Sequence, residues 1–266
     1  MVKFYMQIKA TIWISLALFS SVLFMPLTAR AEEQLWDNIE KSNHFIIYYK
    51  QASFEYMQRL VREAEHCYKK ITDYLGFKRF DFWIWDNRCK IFLYPDADKY
   101  LGTTGAAVWS KGHVQIKTKE ISTYIWQELF FDTILPHEIG HIIFRELVGF
   151  DKELPLWLDE GVACMQEYES RDRLNTAKCL VNLKLYTHLD DLSKIKDSSV
   201  IIPFIFYNQS ASIIDFLLRR FGRNKFVDFC RSLRDTDDWV QSLKAVYRLK
   251  NLEELEKLWI ADLTEN

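Results

Sequence analysis

The sequence has no C-x-x-C pair, no internal repeat, no low-complexity tract and little glycine or proline. Its 266 residues include 8 Gly and 5 Pro, so no Pro/Gly-rich linker divides it. The net charge is only −2, with Lys and Arg scattered along the chain, which excludes the basic footprint of a nucleic-acid-binding protein. The 5 Cys give no support to a cysteine-built zinc site, although they leave one or two disulfides open.

The N-terminal segment has the order of a secretory signal. Lys3 and Lys9 form a positive start, residues 11–27 are an apolar run without charge, and the A-R-A at 29–31 is typical of a cleavage site. We therefore predict a signal peptide over residues 1–31 and an exported protein, whether periplasmic, on the cell surface or extracellular. The alternative is an uncleaved membrane anchor, because the run approaches the length of a membrane span.

The next part of the chain predicts strands around a helix. HFIIYY at 44–49 and CKIFLY at 89–94 are rich in β-formers, which is typical of buried strands. Apolar residues recur at steps of three and four over 54–75, so we predict a helix that Ser53 caps and Gly76 ends.

A β-hairpin is predicted in the middle of the chain. GTTG at 102–105 is typical of a turn, and residues 106–109 and 113–117 are predicted to pair around Lys111-Gly112.

From Ile121 onward the hydrophobic pattern is that of helices. We predict them over 123–131, 133–147, 156–173, 206–221, 224–234 and 251–263. A small mixed sheet followed by a helical part is an α+β fold. We predict one domain over 32–266, with an α/β part over 32–120 and a helical part over 121–266.

The stretch LPHEIGH at 135–141 carries the chemistry that we consider most informative. His137 and His141 are four residues apart, so on a helix both face one side and can bind one metal ion. Glu138 lies close enough to reach a metal-bound water and take its proton. Pro136 suits a first helical turn or a kink. Taken alone, the pattern also fits two solvated histidines on a surface helix.

The third ligand is predicted in the next segment. Glu160, in the context WLDEG, follows His141 after eighteen intervening residues, enough for a short loop and a returning antiparallel helix. Glu160 then completes a His₂Glu set with one open position, as a catalytic zinc site requires. We predict one Zn²⁺ per chain.

H-E-x-x-H, the eighteen-residue interval and the glutamate in W-L-x-E-G together resemble the gluzincin metallopeptidases, the group of thermolysin and aminopeptidase N. WLDEGVACMQE, the strand HFIIYY, YNQS and LEELEKLW are similar to the peptidase MA-like domain family. The resemblance implies a thermolysin-like catalytic domain in which His137, His141 and Glu160 bind zinc and Glu138 is the general base.

Several further residues are candidates for supporting roles. The resemblance implies that Tyr207, within YNQS, donates to the oxyanion, although a tyrosine is more often a packing residue. Glu167 shares the helical face of Glu160, and either Glu167 or Asp159 is predicted to accept a hydrogen bond from a ligand histidine. Cys164 stands where thermolysin-like enzymes have an aspartate, and we interpret it as a small buried residue.

The sequence predicts a peptide or protein substrate. GAAVWSKGHVQIK at 105–117 lies where gluzincins have an edge strand that pairs with extended peptides. It lacks the G-x-M-E-N signature of aminopeptidases, so we favour an endopeptidase. We predict that the protein does not bind nucleic acid, and that it is attached to a membrane only if the N-terminal leader is not cleaved. The alternatives are a catalytically silent zinc-binding envelope module and a hydrolase of non-peptide amides such as cell-wall fragments.

Overall fold

A mixed β-sheet forms the first part of the protein, whose computed structural model describes residues 36–106, 110–125, 129–196 and 202–265. The strands are β1 (Asn38–Lys41), β2 (Phe45–Tyr49), β3 (Cys89–Tyr94), β4 (Gly112–Gln115) and β5 (Glu120–Tyr124). Their order is β1-β2-β3-β5-β4. The three central strands run parallel, whereas β1 and β4 lie antiparallel at the two edges. The predicted signal peptide at 1–31 lies outside the described residues.

Helix α1 (Phe54–Leu75) connects β2 to β3 and covers the sheet. The Ser53 side chain accepts a hydrogen bond from the Tyr56 N–H at 3.2 Å, and Gly76 ends the helix at φ 80°. Glycine adopts that left-handed conformation readily because it has no Cβ atom. The predictions for β2, β3 and this helix with both its caps are confirmed.

The pairing of residues 106–109 with 113–117, predicted around Lys111-Gly112, stays a prediction because most of its first arm is not described. Gly112 begins β4, which pairs with β5 across a turn over residues 116–119, where Lys119 has a positive φ of 56°. Residues 107–109 lie outside the described residues. The turn predicted at 102–105 is the end of α2 (Ala97–Thr104), a helix that the Asp96 side chain caps.

Helices make up most of the chain after β5. A π-helical turn, Phe130–Ile134, leads directly into the first of them. They are α3 (Leu135–Val148), α4 (Leu156–Cys164), α5 (Ser170–Asn182), α6 (Leu189–Lys194), α7 (Pro203–Phe221), α8 (Arg223–Asp235), α9 (Trp239–Tyr247) and α10 (Leu252–Glu265). The α+β prediction is therefore confirmed.

Two helix predictions are wrong. The helix predicted over 123–131 begins in strand β5, and after the undescribed residues 126–128 the π-helical turn follows. The helix predicted over 156–173 is α4 and α5 with a break at 165–169. The break has a tertiary cause, because the Tyr168 N–H donates to the Asp132 carbonyl at 2.8 Å instead of continuing the helix.

Helix α3 lies at the centre of the helical part. Its apolar residues are buried on nearly every side, against α1, α4 and α8. A helix that is apolar all round is typical of a protein core. The residues from Asn38 onward form one compact unit, and all five cysteines are free. The single peptidase domain over 32–266 stays a prediction.

Candidate metal centre

Helices α3 and α4 bring three predicted ligands together. His137 and His141 project from one face of α3, and Glu160 projects from α4. The His137 and His141 Nε2 atoms are 3.1 Å apart, and the Glu160 Oε2 lies 3.5 Å from the first and 3.7 Å from the second. A tetrahedral zinc ion with ordinary bond lengths has ligand atoms about 3.3 Å apart. The triangle therefore fits a single metal ion.

The hydrogen bonds of the two rings support this fit. The His137 Nδ1 lies 2.8 Å from Glu167 Oε1, and the His141 Nδ1 lies 3.2 Å from Asp159 Oδ1. An ionised carboxylate only accepts hydrogen bonds, so each Nδ1 carries a hydrogen, and in the neutral ring each Nε2 offers a lone pair. Two such lone pairs 3.1 Å apart are stabilised by a cation between them, either a proton that the rings share or a metal ion. The donor set is thus complementary to a metal ion.

Both predicted histidine partners, Glu167 and Asp159, are therefore in contact with the rings, and each is held by an arginine. The Arg173 guanidinium donates twice to Glu167 Oε2, at 2.9 and 2.5 Å. The Arg145 guanidinium donates twice to Asp159 Oδ2, at 2.8 and 2.6 Å. In each case one carboxylate oxygen faces the arginine and the other faces the histidine.

Electrostatics at the centre favour positive charge. Burial disfavours a charged His137, but hydrogen bonds with Cys164, Glu160 and Glu167 outweigh burial and raise its pKa well above the usual value. Burial also disfavours a charged His141. The hydrogen bond and the negative charge of Asp159 outweigh the effect of burial and raise the pKa of His141. What favours a proton here also favours a metal cation.

Two glycines allow the helices to approach closely at this point. A Cβ atom on Gly161, next to Glu160, would lie 2.5 Å from the Ser210 carbonyl oxygen on α7. A Cβ atom on Gly140, next to His141, would lie 3.1 Å from the Cα atom of Ala163 on α4. The ligand helices therefore pack at a separation that larger residues do not permit.

Glu138 follows His137 on α3 but does not belong to the cluster that His137, His141 and Glu160 form. Its side chain is half-buried on α3. Burial raises the pKa of Tyr100 and the Ser110 hydrogen bond opposes that rise, while the charge of Glu138 adds to it. Among the residues that the structure describes, none forms a hydrogen bond or ion pair with Glu138. The carboxylate is thus available to a water molecule.

Tyr207 lies on α7 and its phenol is near the cluster. Burial, followed by the negative charge of Glu160, raises the pKa of Tyr207 to about 12. The phenol therefore keeps its proton across the physiological range and can act as a hydrogen-bond donor. Its proximity to Glu160 and His137 is what the predicted oxyanion role requires.

A second group of three residues shares His137 with the first. Cys164 and Glu167 also have ligand atoms within 4.8 Å of each other and of His137. This group fits a cation less well, because Glu167 is already paired with the Arg173 guanidinium and burial raises the pKa of the Cys164 thiol. The prediction that Cys164 is a small buried residue is confirmed, and the thiol also contacts His137.

Sequence reasoning missed Arg145 and Arg173. Arg145 could have been found, because it follows His141 by four residues and so shares its face of α3. Arg173 gives no such signal, since the break at 165–169 decides where it lies.

Comparison of the chain with protein-family models and with curated proteins gives no match. No helix within the described residues is both long and apolar enough to cross a membrane.

Proposed function

We propose that this protein is a zinc-dependent metallopeptidase of the gluzincin type with a thermolysin-like catalytic domain. The observation that carries the proposal is the triangle of His137 Nε2, His141 Nε2 and Glu160 Oε2 atoms, 3.1 to 3.7 Å apart, with the Glu138 carboxylate beside it. A merely structural zinc site has no need of that additional carboxylate. The proposed substrates are peptides or proteins that the enzyme meets after export.

The proposed mechanism uses three groups, which are the zinc ion, Glu138 and Tyr207. The chemistry that zinc supplies when bound is to lower the pKa of water and to polarise a carbonyl group. Glu138 accepts the proton from the attacking water and passes it to the leaving amine. Tyr207, protonated because its pKa is raised to about 12, donates a hydrogen bond to the oxyanion.

The position of strand β4 is a reason to propose an extended peptide as the substrate. It lies at the sheet edge, and its Gly112 packs so closely on Ile134, just before α3, that a Cβ atom would come within 2.6 Å of that side chain. An edge strand beside the metal helix can pair with a substrate backbone. With no G-x-M-E-N signature to hold a free amine, an endopeptidase is favoured over an aminopeptidase.

The test is zinc content and turnover of the purified protein and three variants. We expect one zinc per chain in the wild type, loss of zinc in Glu160→Gln, and retained zinc with turnover about 10²–10⁴-fold lower in Glu138→Gln. Glu146→Gln is the matched control, because Glu146 lies on the same helix but pairs with Trp83 and Lys119.

Turnover is measured on a peptide library beside cell-wall fragments. Cleavage of the fragments alone would replace the peptidase proposal with an amide hydrolase of the cell wall. Zinc binding without turnover on either substrate would favour a silent module, and a wild type that binds no zinc would overturn the metal centre.

A further inference from the structure

Two partly buried arginines form the same arrangement behind the two histidines. Arg173 Nε and Nη2 donate to a single oxygen of Glu167, whose other oxygen accepts from His137 Nδ1. Arg145 Nε and Nη2 donate to a single oxygen of Asp159, whose other oxygen accepts from His141. The carboxylates are buried in both cases.

This geometry restricts each carboxylate more than one hydrogen bond would. A guanidinium is a planar fork, so two bonds to the same oxygen orient the carboxylate as well as pair with its charge. The second oxygen is then aimed at the histidine Nδ1–H, and the ring orientation follows. A histidine held in this way keeps its Nε2 lone pair directed at the metal position.

We propose that Arg145 and Arg173 are positioning residues of the metal centre, which act through Asp159 and Glu167 to hold the two histidine rings for zinc. The inference rests on the proposed function, since it assigns the arginines to the same metal. It is distinct from a role in folding alone, because it ties each guanidinium to the metal affinity of the folded protein.

The main experiment compares zinc affinity across Arg173 variants. The full-length protein is stripped of metal, and its zinc affinity is measured by competition with a chromophoric chelator. We expect Arg173→Gln to weaken zinc binding on the order of 10–100-fold, the range typical of residues that orient ligand histidines. The zinc affinity of Arg173→Lys should lie between those of the wild type and Arg173→Gln, because lysine keeps the positive charge but lacks the planar pair of donors.

A matched control comes from helix α7. Arg219 donates to the buried Asp215 at 2.6 Å and to Asp262 at 2.7 Å, but neither carboxylate contacts a ligand histidine. Arg219→Gln should therefore leave zinc affinity unchanged even if it lowers stability. If Arg173→Gln behaves like Arg219→Gln, the arginine is structural only and the inference is overturned.

A double variant tests whether Arg173 acts through Glu167. In the Glu167→Gln background, replacing Arg173 by Gln should cost little further zinc affinity, because the carboxylate that it orients is gone. Additive losses would mean that the guanidinium acts by another route. Arg145→Gln and Arg145→Lys provide the same test at His141. Their zinc affinity is measured only if far-UV circular dichroism shows that the variant is folded.

The two proposals fail in different ways. A wild type without zinc overturns the proposed metallopeptidase and this inference with it. A wild type that binds zinc, with affinity unchanged in Arg173→Gln and Arg145→Lys, overturns this inference and leaves the metal centre standing.

Discussion

The two histidines of the candidate metal centre each contact a carboxylate that an arginine holds, but different parts of the fold supply these partners. His141 and Arg145 both lie on α3, one turn apart, and Asp159 on α4 bridges them. On the His137 side, Glu167 lies in the break between α4 and α5, and Arg173 follows on α5. One half of the centre is built from regular helices and the other depends on a turn.

The burial of the histidines and of the arginines differs in the same direction, whereas of the two carboxylates Glu167 is the more buried. The His141 side chain is 8 % exposed and that of His137 is 19 % exposed. Arg145 has an additional partner, the Lys152 carbonyl at 2.6 Å, whereas Arg173 reaches solvent with a side chain that is 25 % exposed. The comparison indicates that the His141 half is the rigid part of the centre and that the His137 half borders the open side.

The largest expected effect that tests this comparison is on stability. In the metal-free protein, Arg145→Gln should lower the free energy of unfolding by about 3–5 kcal/mol, because it leaves Asp159 as a buried charge without its cation. Arg173→Gln should cost about 1–3 kcal/mol, since water can reach the space that the partly exposed arginine vacates. Urea denaturation of the metal-free variants measures both. Equal losses would show that the two halves are equally rigid, and a larger loss for Arg173→Gln would reverse their order.

Substitutions of Gly161 and Gly140, which lie next to Glu160 and His141, test the packing of the two halves with smaller expected effects on stability. Gly161→Ala should cost about 1–3 kcal/mol and weaken zinc binding, because the new methyl group meets a backbone oxygen on α7 that cannot turn away. Gly140→Ala should cost less, since its nearest contacts, Gln166 Cγ at 3.0 Å and Ala163 Cα at 3.1 Å, are less severe than the 2.5 Å contact at Gly161.

Gly102→Ala is the control for this series. Gly102 lies in helix α2 with no atom within 4 Å of the Cβ position, so alanine should stabilise the protein by about 0.4–1 kcal/mol. Thermal unfolding measures all three glycine variants. A neutral Gly161→Ala would contradict the close packing of α4 on α7.

Regular periodicity explains how much of the site could be predicted. The spacing of His137 and His141 on one helix, and the interval to Glu160, were sufficient to place the three residues together. The same kind of reasoning placed α1, with its Ser53 and Gly76 caps, and the strands β2 and β3. In each case the information lies within a few residues of the element that it specifies.

The remaining features depend on contacts between distant residues. The break at 165–169 exists because Tyr168 bonds to Asp132, and no local pattern announces that bond. Strand β5, EISTY, has one strongly apolar residue, Ile121, and is a strand because β3 and β4 pair with it on both sides. Arg173 takes its place only once the break is formed. Tertiary contacts overrode local propensity at these positions.

The smallest expected effect concerns pH and again separates the two histidines. Both pKa values are raised above 6.5 in the metal-free fold, so protonation stabilises the folded protein fully below pH 6.5 and this stabilisation is lost as the pH rises through the folded-state values. Stability of the metal-free protein should therefore fall as the pH rises above 6.5, and bound zinc, which replaces the proton, should reduce that fall. Hydrogen bonds from three groups, Cys164, Glu160 and Glu167, favour the charge on His137, whereas Asp159 alone forms such a bond with His141. Urea denaturation across this pH range measures the effect in the two histidine variants. The stability of His137→Gln should depend less on pH than that of His141→Gln. The opposite order would mean that His141, and not His137, binds the proton.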